Sequence, residues 1–363
     1  MGEQVVFIIT IGLTLAYAYS NGMNDAANAI ATVVSTRVLK PTAAVAMGAS
    51  LNLVGALTGT AVAKTIGKGI VDPGAINEYT VMAGIGASVL WVLMATRLGF
   101  PVSVSHSLVA GLVGAALAAA GITAIIGQGL IKVIIALAVS PIAGFGIAFI
   151  LMLGLYWIVH GISPGPLRGY FRRHPTLSRA TLKASPRFVN QLLQGASPTG
   201  VRTTFARLQI LAAAFLAYSH GKNDGQNAIG VIALAAAVYY SQDLTIDLWM
   251  VLASATAIGA GTALGGWRVI NTLGMRITKL ETIHGFAASA AAASVIEAAS
   301  SIGLPVSTTH TTSGSIMGVG ATRRLSAVRW GVTRSIALAW VVTYPVCFVL
   351  GWSISTVFEV AFR

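Results

Sequence analysis

Residues 18–31 read AYSNGMNDAANAIA, and residues 217–230 read AYSHGKNDGQNAIG. Nine of the fourteen positions are identical, and each copy carries an asparagine-aspartate pair inside an otherwise apolar stretch. The pairs are Asn24-Asp25 and Asn223-Asp224. Self-similarity between distant segments is the mark of an internal repeat, so the chain is predicted to consist of two related halves.

A second pair of segments supports this repeat. Residues 99–107 read GFPVSVSHS and residues 303–311 read GLPVSTTHT, with five of nine positions identical. Two of the four differences exchange serine for threonine. Pro141 and Pro345 lie in later apolar runs and are 204 residues apart, the same interval as the second segments. Repeated halves with polar, glycine-broken segments at matching places point to a secondary transporter.

The composition indicates that a lipid bilayer surrounds most of the chain. Hydrophobic residues make up 55% of the 363 residues and charged residues only 9%, which is too little polar surface for a water-soluble globule. Apolar runs of membrane-spanning length recur from end to end. They predict an all-α polytopic membrane protein with about 10–12 membrane segments.

The net charge of +13 is concentrated near the middle of the chain. Residues 164–208 carry eight lysines or arginines and no acid, so the positive-inside rule predicts a basic cytoplasmic loop. It separates an N-terminal membrane repeat, residues 1–163, from a C-terminal one, residues 209–363, in a multi-pass protein of the cell membrane. Topology and anionic lipid account for the charge, and nucleic acid is not expected as a partner.

The aspartates are candidate ligands of a cation. A carboxylate within the bilayer costs about 2.5 to 3.5 kcal/mol even on a lenient insertion scale, so each needs compensation. Asn24 and Asn28 are four residues apart and Asp25 and Asn28 are three apart, so all three can face one cavity. Hard oxygen donors suit Na+ or a proton better than an anion. We predict cation sites, with Na+ at Asp25 and Asp224 if sodium is the coupling ion, made by Asn24, Asp25, Asn28, Asn223, Asp224 and Asn227.

Three alternatives remain open around these residues. The polar side chains of the signature could simply satisfy the backbone groups of a broken helix. Lys222, where the first half has Met23, could pair with Asp224 or attract an anion. Glu297 has no acidic counterpart in the first half and is the weaker candidate for a cation ligand.

The second segments suit an anion. Pro101 and Pro305 favour the first turn of a helix, whose free N–H groups attract negative charge. Hydroxyls there can replace water around a tetrahedral oxoanion without trapping it through full charges. The paired histidines could donate to the anion, shuttle a proton or, as we prefer, brace the neighbouring backbone. The predicted oxoanion-binding residues are Ser103, Ser105, His106, Ser107, Ser307, Thr308, Thr309, His310 and Thr311.

These motifs resemble those of the inorganic phosphate transporter family, which comprises sodium- or proton-coupled permeases. Residues 22–29 and 221–228 match its doubled signature Gly-x-Asn-Asp-x-x-Asn-Ala, and residues 305–310 are similar to a second hallmark. The resemblance spans nearly the whole chain. It implies two inverted repeats with broken helices and helical hairpins, a homodimer, and symport of inorganic phosphate with Na+ or H+ by alternating access.

The resemblance also implies phosphate between the two hairpin segments and cations near the aspartates, with no enzymatic activity and no cofactor besides the coupling ion. Some relatives carry glutamates where this chain has Asn52 and Ser289, which leaves the identity and number of the cations open. A sulfate permease of the same family is one alternative. A membrane-embedded metalloenzyme, using the aspartates with His106 and His310 as ligands, is an alternative of another class.

Overall fold

Helices form most of the residues that the structure describes, because in lipid every backbone N–H and C=O group must find its partner within the protein. The structure is a computed structural model that describes residues 2–162 and 198–362. The expected all-α architecture is confirmed, since the described residues contain no β-strand. Their helices are α1 Glu3–Ser35, α2 Pro41–Ala56, α3 Ala61–Gly69, α4 Glu78–Leu98, α5 Val104–Ala120, α6 Gly127–Ile162, α7 Pro198–Tyr239, α8 Leu248–Leu264, α9 Trp267–Asn271, α10 Thr282–Ser301, α11 Thr308–Arg323 and α12 Trp330–Phe362.

Five of these helical segments are long and apolar enough to cross a membrane by themselves. They comprise α1, α4, α6, α12 and the segment Val104–Ala124, which contains α5. Two further candidates are bent pairs: α2 with α3, at 66°, and α8 with α9 and its π-helical continuation Thr272–Arg276, at 63°. The bent pairs are the broken helices that the resemblance implied.

The helices that carry the signature are not the broken ones. We expected a break at the glycines, but α1 runs without interruption over 33 residues and α7 over 42. Gly22 and Gly221 serve close packing instead. A Cβ atom at Gly22 would collide with the carbonyl oxygen of Ile258 in α8, and one at Gly221 with that of Asn52 in α2.

The two halves interlock. Helices α1–α6 correspond in order to α7–α12, and each half packs on elements of the other: α1 on α8, α7 on α2, α6 on α11 and α12 on α5. The predicted boundaries between repeats stay a prediction. Most of the predicted basic loop lies outside the described residues, which leave out 163–197. The remaining part, residues 198–208, belongs to helix α7.

Two helical hairpins, α4–α5 and α10–α11, carry the second segments at their tips. Gly99 and Gly303 follow α4 and α10 with φ of 79° and 74°, a conformation that favours glycine. We expected Pro101 to lie in the first turn, but α5 begins at Val104. The reason is that the Ser103 hydroxyl accepts from the backbone N–H of His106 and caps the helix.

Candidate functional site

The first asparagine of each signature fastens its helix to the hairpin of the same half. Asn24 Nδ2 donates to Thr96 Oγ1 at 2.8 Å, near the end of α4. Asn223 Nδ2 donates to the carbonyl of Val306 at 2.9 Å, and Asn223 Oδ1 accepts from Ser300 Oγ at 3.1 Å. Thr96 and Ser300 occupy equivalent positions of the repeat. The signature therefore fixes where each hairpin tip lies.

The last asparagine of each signature reaches the hairpin of the opposite half. Asn28 Nδ2 donates to Thr309 Oγ1 at 3.0 Å, and Asn227 Nδ2 donates to Ser105 Oγ at 3.1 Å. Thr309 and Ser105 are equivalent in the two hairpins, so these are two copies of one contact. Together the four asparagines bring both signatures and both hairpin tips to the same place.

Both aspartates meet at Thr308. Its Oγ1 lies 3.1 Å from Asp25 Oδ2 and 3.1 Å from Asp224 Oδ2, while Thr309 Oγ1 donates to Asp25 Oδ1 at 2.9 Å. A hydroxyl has one proton, so Thr308 can donate to one carboxylate at a time. Each aspartate is 1% exposed. The centre therefore holds two buried carboxylates with few neutral donors to satisfy them.

His220 is a member of this cluster that the sequence analysis did not select. It is fully buried, and its Nε2 lies 3.2 Å from Asp224 Oδ2 and 3.6 Å from Asp25 Oδ2. Asn52 Oδ1 lies 2.6 Å from the other ring nitrogen, which makes Nδ1 the donor. The only sequence signal was a mismatch in the repeat, where Asn21 stands in the first copy.

Three groups at the centre could bind a cation directly. One ligand atom each from Asp25, His220 and Asp224 lies within 4.8 Å of the other two. In addition, the buried Oδ1 atoms of Asn24, Asn28 and Asn227 have no hydrogen-bond partner among the described residues. Buried polar atoms are normally paired, and amide carbonyl oxygens are hard ligands that suit Na+. The oxygen atoms of this group, unlike the imidazole nitrogen of His220, are of the kind that an alkali cation binds.

Not every hydroxyl of the second segments faces the aspartates. Ser103 and Ser307 cap α5 and α11 by accepting from the backbone N–H three residues ahead. Ser107 Oγ lies 2.6 Å from Ser88 Oγ, and Thr311 Oγ1 donates to the carbonyl of Ser307 at 2.8 Å. These four residues brace the hairpins, whereas Ser105, Thr308 and Thr309 are bonded to the signature helices.

The paired histidines join the two hairpins to each other. The rings of His106 and His310 are in edge contact with centroids 4.4 Å apart, and they also pack on Tyr344 and Trp340, respectively. Neither imidazole is bonded to an aspartate within the described part of the chain. This placement fits the bracing role that we preferred from the sequence.

Lys222 pairs with Glu297 and not with Asp224. Their ion pair joins α7 to α10, and Lys222 Nζ also donates to Ser301 Oγ at 3.2 Å. The two residues that we interpreted separately from the sequence are therefore partners. Glu297 therefore has a cationic partner at one of its two carboxylate oxygens.

Comparison with known proteins gives consistent results. The model of the "Phosphate transporter family" matches residues 21–351. A "Probable low-affinity inorganic phosphate transporter" of Rhizobium meliloti (strain 1021) is 39% identical over 351 residues, covering 95% of each chain. A protein of the same description from Bacillus subtilis (strain 168) is 38% identical, over 96% of this chain and 95% of its own. A solved structure described as "The sodium-dependent phosphate transporter" superposes with a TM-score of 0.83 at 29% identity, covering 99% of this chain and 100% of its own.

Proposed function

The chain belongs to the phosphate transporter family, and we propose that it is a secondary active transporter that carries inorganic phosphate together with Na+ by alternating access. One observation supports this most directly. Thr308, a residue expected to bind the anion, lies 3.1 Å from the carboxylates of both Asp25 and Asp224, which are expected to bind the cation. The two ligands would therefore share one site.

Electrostatics then couples their binding. A phosphate about 4 Å from a carboxylate is repelled by about 4 kcal/mol at an effective dielectric constant of about 20, and two carboxylates lie at this centre. A cation bound between the carboxylates and the phosphate replaces that repulsion with attraction. Phosphate would bind only after or with its cations, which is the physical basis of symport.

The cation is proposed to be held by the aspartates and by the amide oxygens that have no other described partner. These are Asp25 and Asp224 with Asn24, Asn28 and Asn227, and with Asn223 as the fastener of the second signature. Oxygen ligands of this kind favour Na+. The sodium dependence stated for the related solved structure supports the same ion. Protons bound to the carboxylates are the alternative that a gradient experiment distinguishes.

The phosphate is proposed to bind at the hydroxyls of the two hairpin tips, chiefly Ser105, Thr308 and Thr309. These residues lie at the starts of α5 and α11, where free backbone N–H groups add neutral donors. Neutral donors hold an oxoanion without the long residence that full positive charges would cause. Ser103, Ser107, Ser307, Thr311 and the histidine pair would hold the tips in position.

The remaining expectations are proposals about the protein in its membrane. The chain would lie in the cell membrane as a homodimer with the central basic segment on the cytoplasmic side. Large exposed side chains on α6 and α12, such as Ile142, Ile150, Leu338 and Val341, fit contact with lipid or with a second copy.

Uptake by purified protein in liposomes tests this function. Labelled phosphate should accumulate under an inward Na+ gradient and not under a proton gradient of equal size. Accumulation under the proton gradient alone would show that the coupling ion is H+ and not Na+. No accumulation under either gradient would refute symport. Excess unlabelled sulfate distinguishes the sulfate alternative, because a phosphate-selective carrier keeps its uptake rate.

The metalloenzyme alternative expected His106 and His310 beside the aspartates, and they do not lie there. Within the described residues, the histidine beside the aspartates is His220, whereas His106 and His310 contact each other. A metalloenzyme would also turn over a substrate without a transmembrane gradient, which the same preparation would reveal.

A further inference from the structure

A cavity of 470 Å³ lies beside the tip of the hairpin α4–α5, and neither Asp25 nor Asp224 is among the residues that line it. The tip contributes residues 98–101 to its wall. The opposite wall belongs to the broken helix, with Arg268 and Thr272 in the bend and Arg276 at the end of the π-helical turn. The first turns of α12, including Ser335, close the third side.

The charge in this cavity is positive. Arg268 and Arg276 are both exposed, and no acidic residue lines the cavity within the described part of the chain. Neither arginine forms a salt bridge there. Arg268 donates one N–H to the carbonyl of Arg97, at the end of α4, which leaves most of its five donors free. Two guanidinium groups that have no acidic partner among the described residues favour an oxoanion, because their forked donors match its oxygens.

The cavity adjoins the tip of the hairpin that carries Ser105. Thr272 Oγ1 donates to the carbonyl of Gly99 at 3.2 Å, and Arg268 bonds to Arg97, so the wall of the cavity also holds the hairpin tip. Ser105, one of the central hydroxyls, follows Gly99 by six residues along the same hairpin. An anion in the cavity would therefore lie next to the element that has to move.

The equivalent region beside the other hairpin repeats the backbone contact. Thr65 Oγ1 donates to the carbonyl of Gly303 at 2.7 Å. Basic residues lie there too, since Lys64 and Lys68 belong to the same helix as Thr65, and Lys68 pairs with Asp243.

We propose that the cavity beside α4–α5 is a second binding site for a phosphate-type oxoanion, held by Arg268 and Arg276. Inorganic phosphate would occupy it while entering or leaving the central site. Its role in transport rests on the proposed function, whereas binding itself does not. A lipid headgroup offers the same chemistry, so the experiment has to separate the two sources.

Labelling of a single cysteine measures occupancy without transport. Cys347 is the only cysteine of the chain and is buried, so Ser335→Cys adds one accessible thiol at the cavity. In liposomes of neutral phosphatidylcholine, inorganic phosphate should slow its modification by a maleimide about fivefold or more. The slowing should persist in the Asp224→Asn background, in which the central site is impaired.

Three results of this labelling experiment would overturn either the second site itself or its assignment to free inorganic phosphate. No slowing in either background would remove the site. Slowing that disappears with Asp224→Asn would show that central binding closes the cavity, and no second site would be needed. If inorganic phosphate has no effect but phosphatidylglycerol slows the labelling, the oxoanion is a lipid headgroup and the assignment to free phosphate is wrong.

Uptake kinetics test the role of the site. The variant Arg276→Gln, which keeps the bond between Arg268 and Arg97, should raise KM for phosphate about fivefold or more and leave kcat within about twofold, with a smaller effect at high salt. The control Arg329→Gln removes the same charge from an exposed arginine outside the cavity wall. An equal rise in KM in both variants would refute a specific site. Absence of uptake by the unmodified protein would refute the proposed transport function but not the second binding site, which the labelling experiment tests separately.

Discussion

Thr308→Val removes the hydroxyl that lies between Asp25 and Asp224 while keeping the shape of the side chain. Thr308 Oγ1 is within 3.1 Å of both aspartates and also accepts from Asn28 Nδ2 at 3.3 Å. Because one proton serves one carboxylate at a time, the loss is that of one hydrogen bond to a charged group, about 1.5 to 3 kcal/mol. If that bond stabilises the loaded site, the apparent affinity for phosphate and Na+ falls by about 10- to 150-fold.

Phosphate uptake into liposomes, measured against both ligand concentrations, tests this expectation. Thr312→Val is the matched control, because it makes the same change one turn later on α11 at a buried hydroxyl without a hydrogen-bond partner among the described residues. It should leave both KM values close to those of the unmodified protein. A Thr308→Val variant with unchanged KM for both ligands would refute a shared site at this hydroxyl.

Three further predictions follow from other contacts. Gly22→Ala should lower the free energy of unfolding by about 1–3 kcal/mol, seen as a lower Tm in detergent, because its methyl group collides with the backbone of α8; Gly12→Ala, with nothing within 4 Å, should not. Lys222→Met should destabilise by about 1 kcal/mol or more, since it leaves the Glu297 carboxylate unpaired, and adding Glu297→Leu should restore most of the loss. Persistent instability in that double variant would contradict this reasoning. Asp25→Asn should abolish sodium-driven accumulation while phosphate exchange without a gradient is retained in part, and unaltered sodium dependence would exclude Asp25 as a cation ligand.

The repeated motifs and the apolar composition of the sequence predicted the helical fold and its two related halves. Two motifs, each present twice in the same order, required two related halves, and the apolar composition required helices. The position of the breaks was not accessible in the same way. Glycines in the signature suggested a break in α1 and α7, yet their missing side chains admit the backbones of α8 and α2, and the bends occur in the neighbouring helices.

The candidate site was accessible only in part. The polar residues of the signatures and hairpins stood out because such groups are costly in lipid. Their division into one set for cations and another for the anion did not anticipate that Thr308 and Thr309 donate to the aspartates. His220 escaped notice because a single histidine beside a signature has no recognisable pattern until Asp25, from the other half, lies against it.

By itself the sequence determined the all-helical membrane fold, the internal repeat and the family, because periodic apolar runs and duplicated motifs are local properties of the chain. Only the tertiary structure decided which hydroxyls face the aspartates, which merely cap helices, and that Lys222 belongs with Glu297. A hydrogen bond or ion pair forms between groups that packing brings within about 3 Å, and packing joins residues that are far apart in the chain, within one half for Lys222 and Glu297 and across the halves for Asp25 and Thr308.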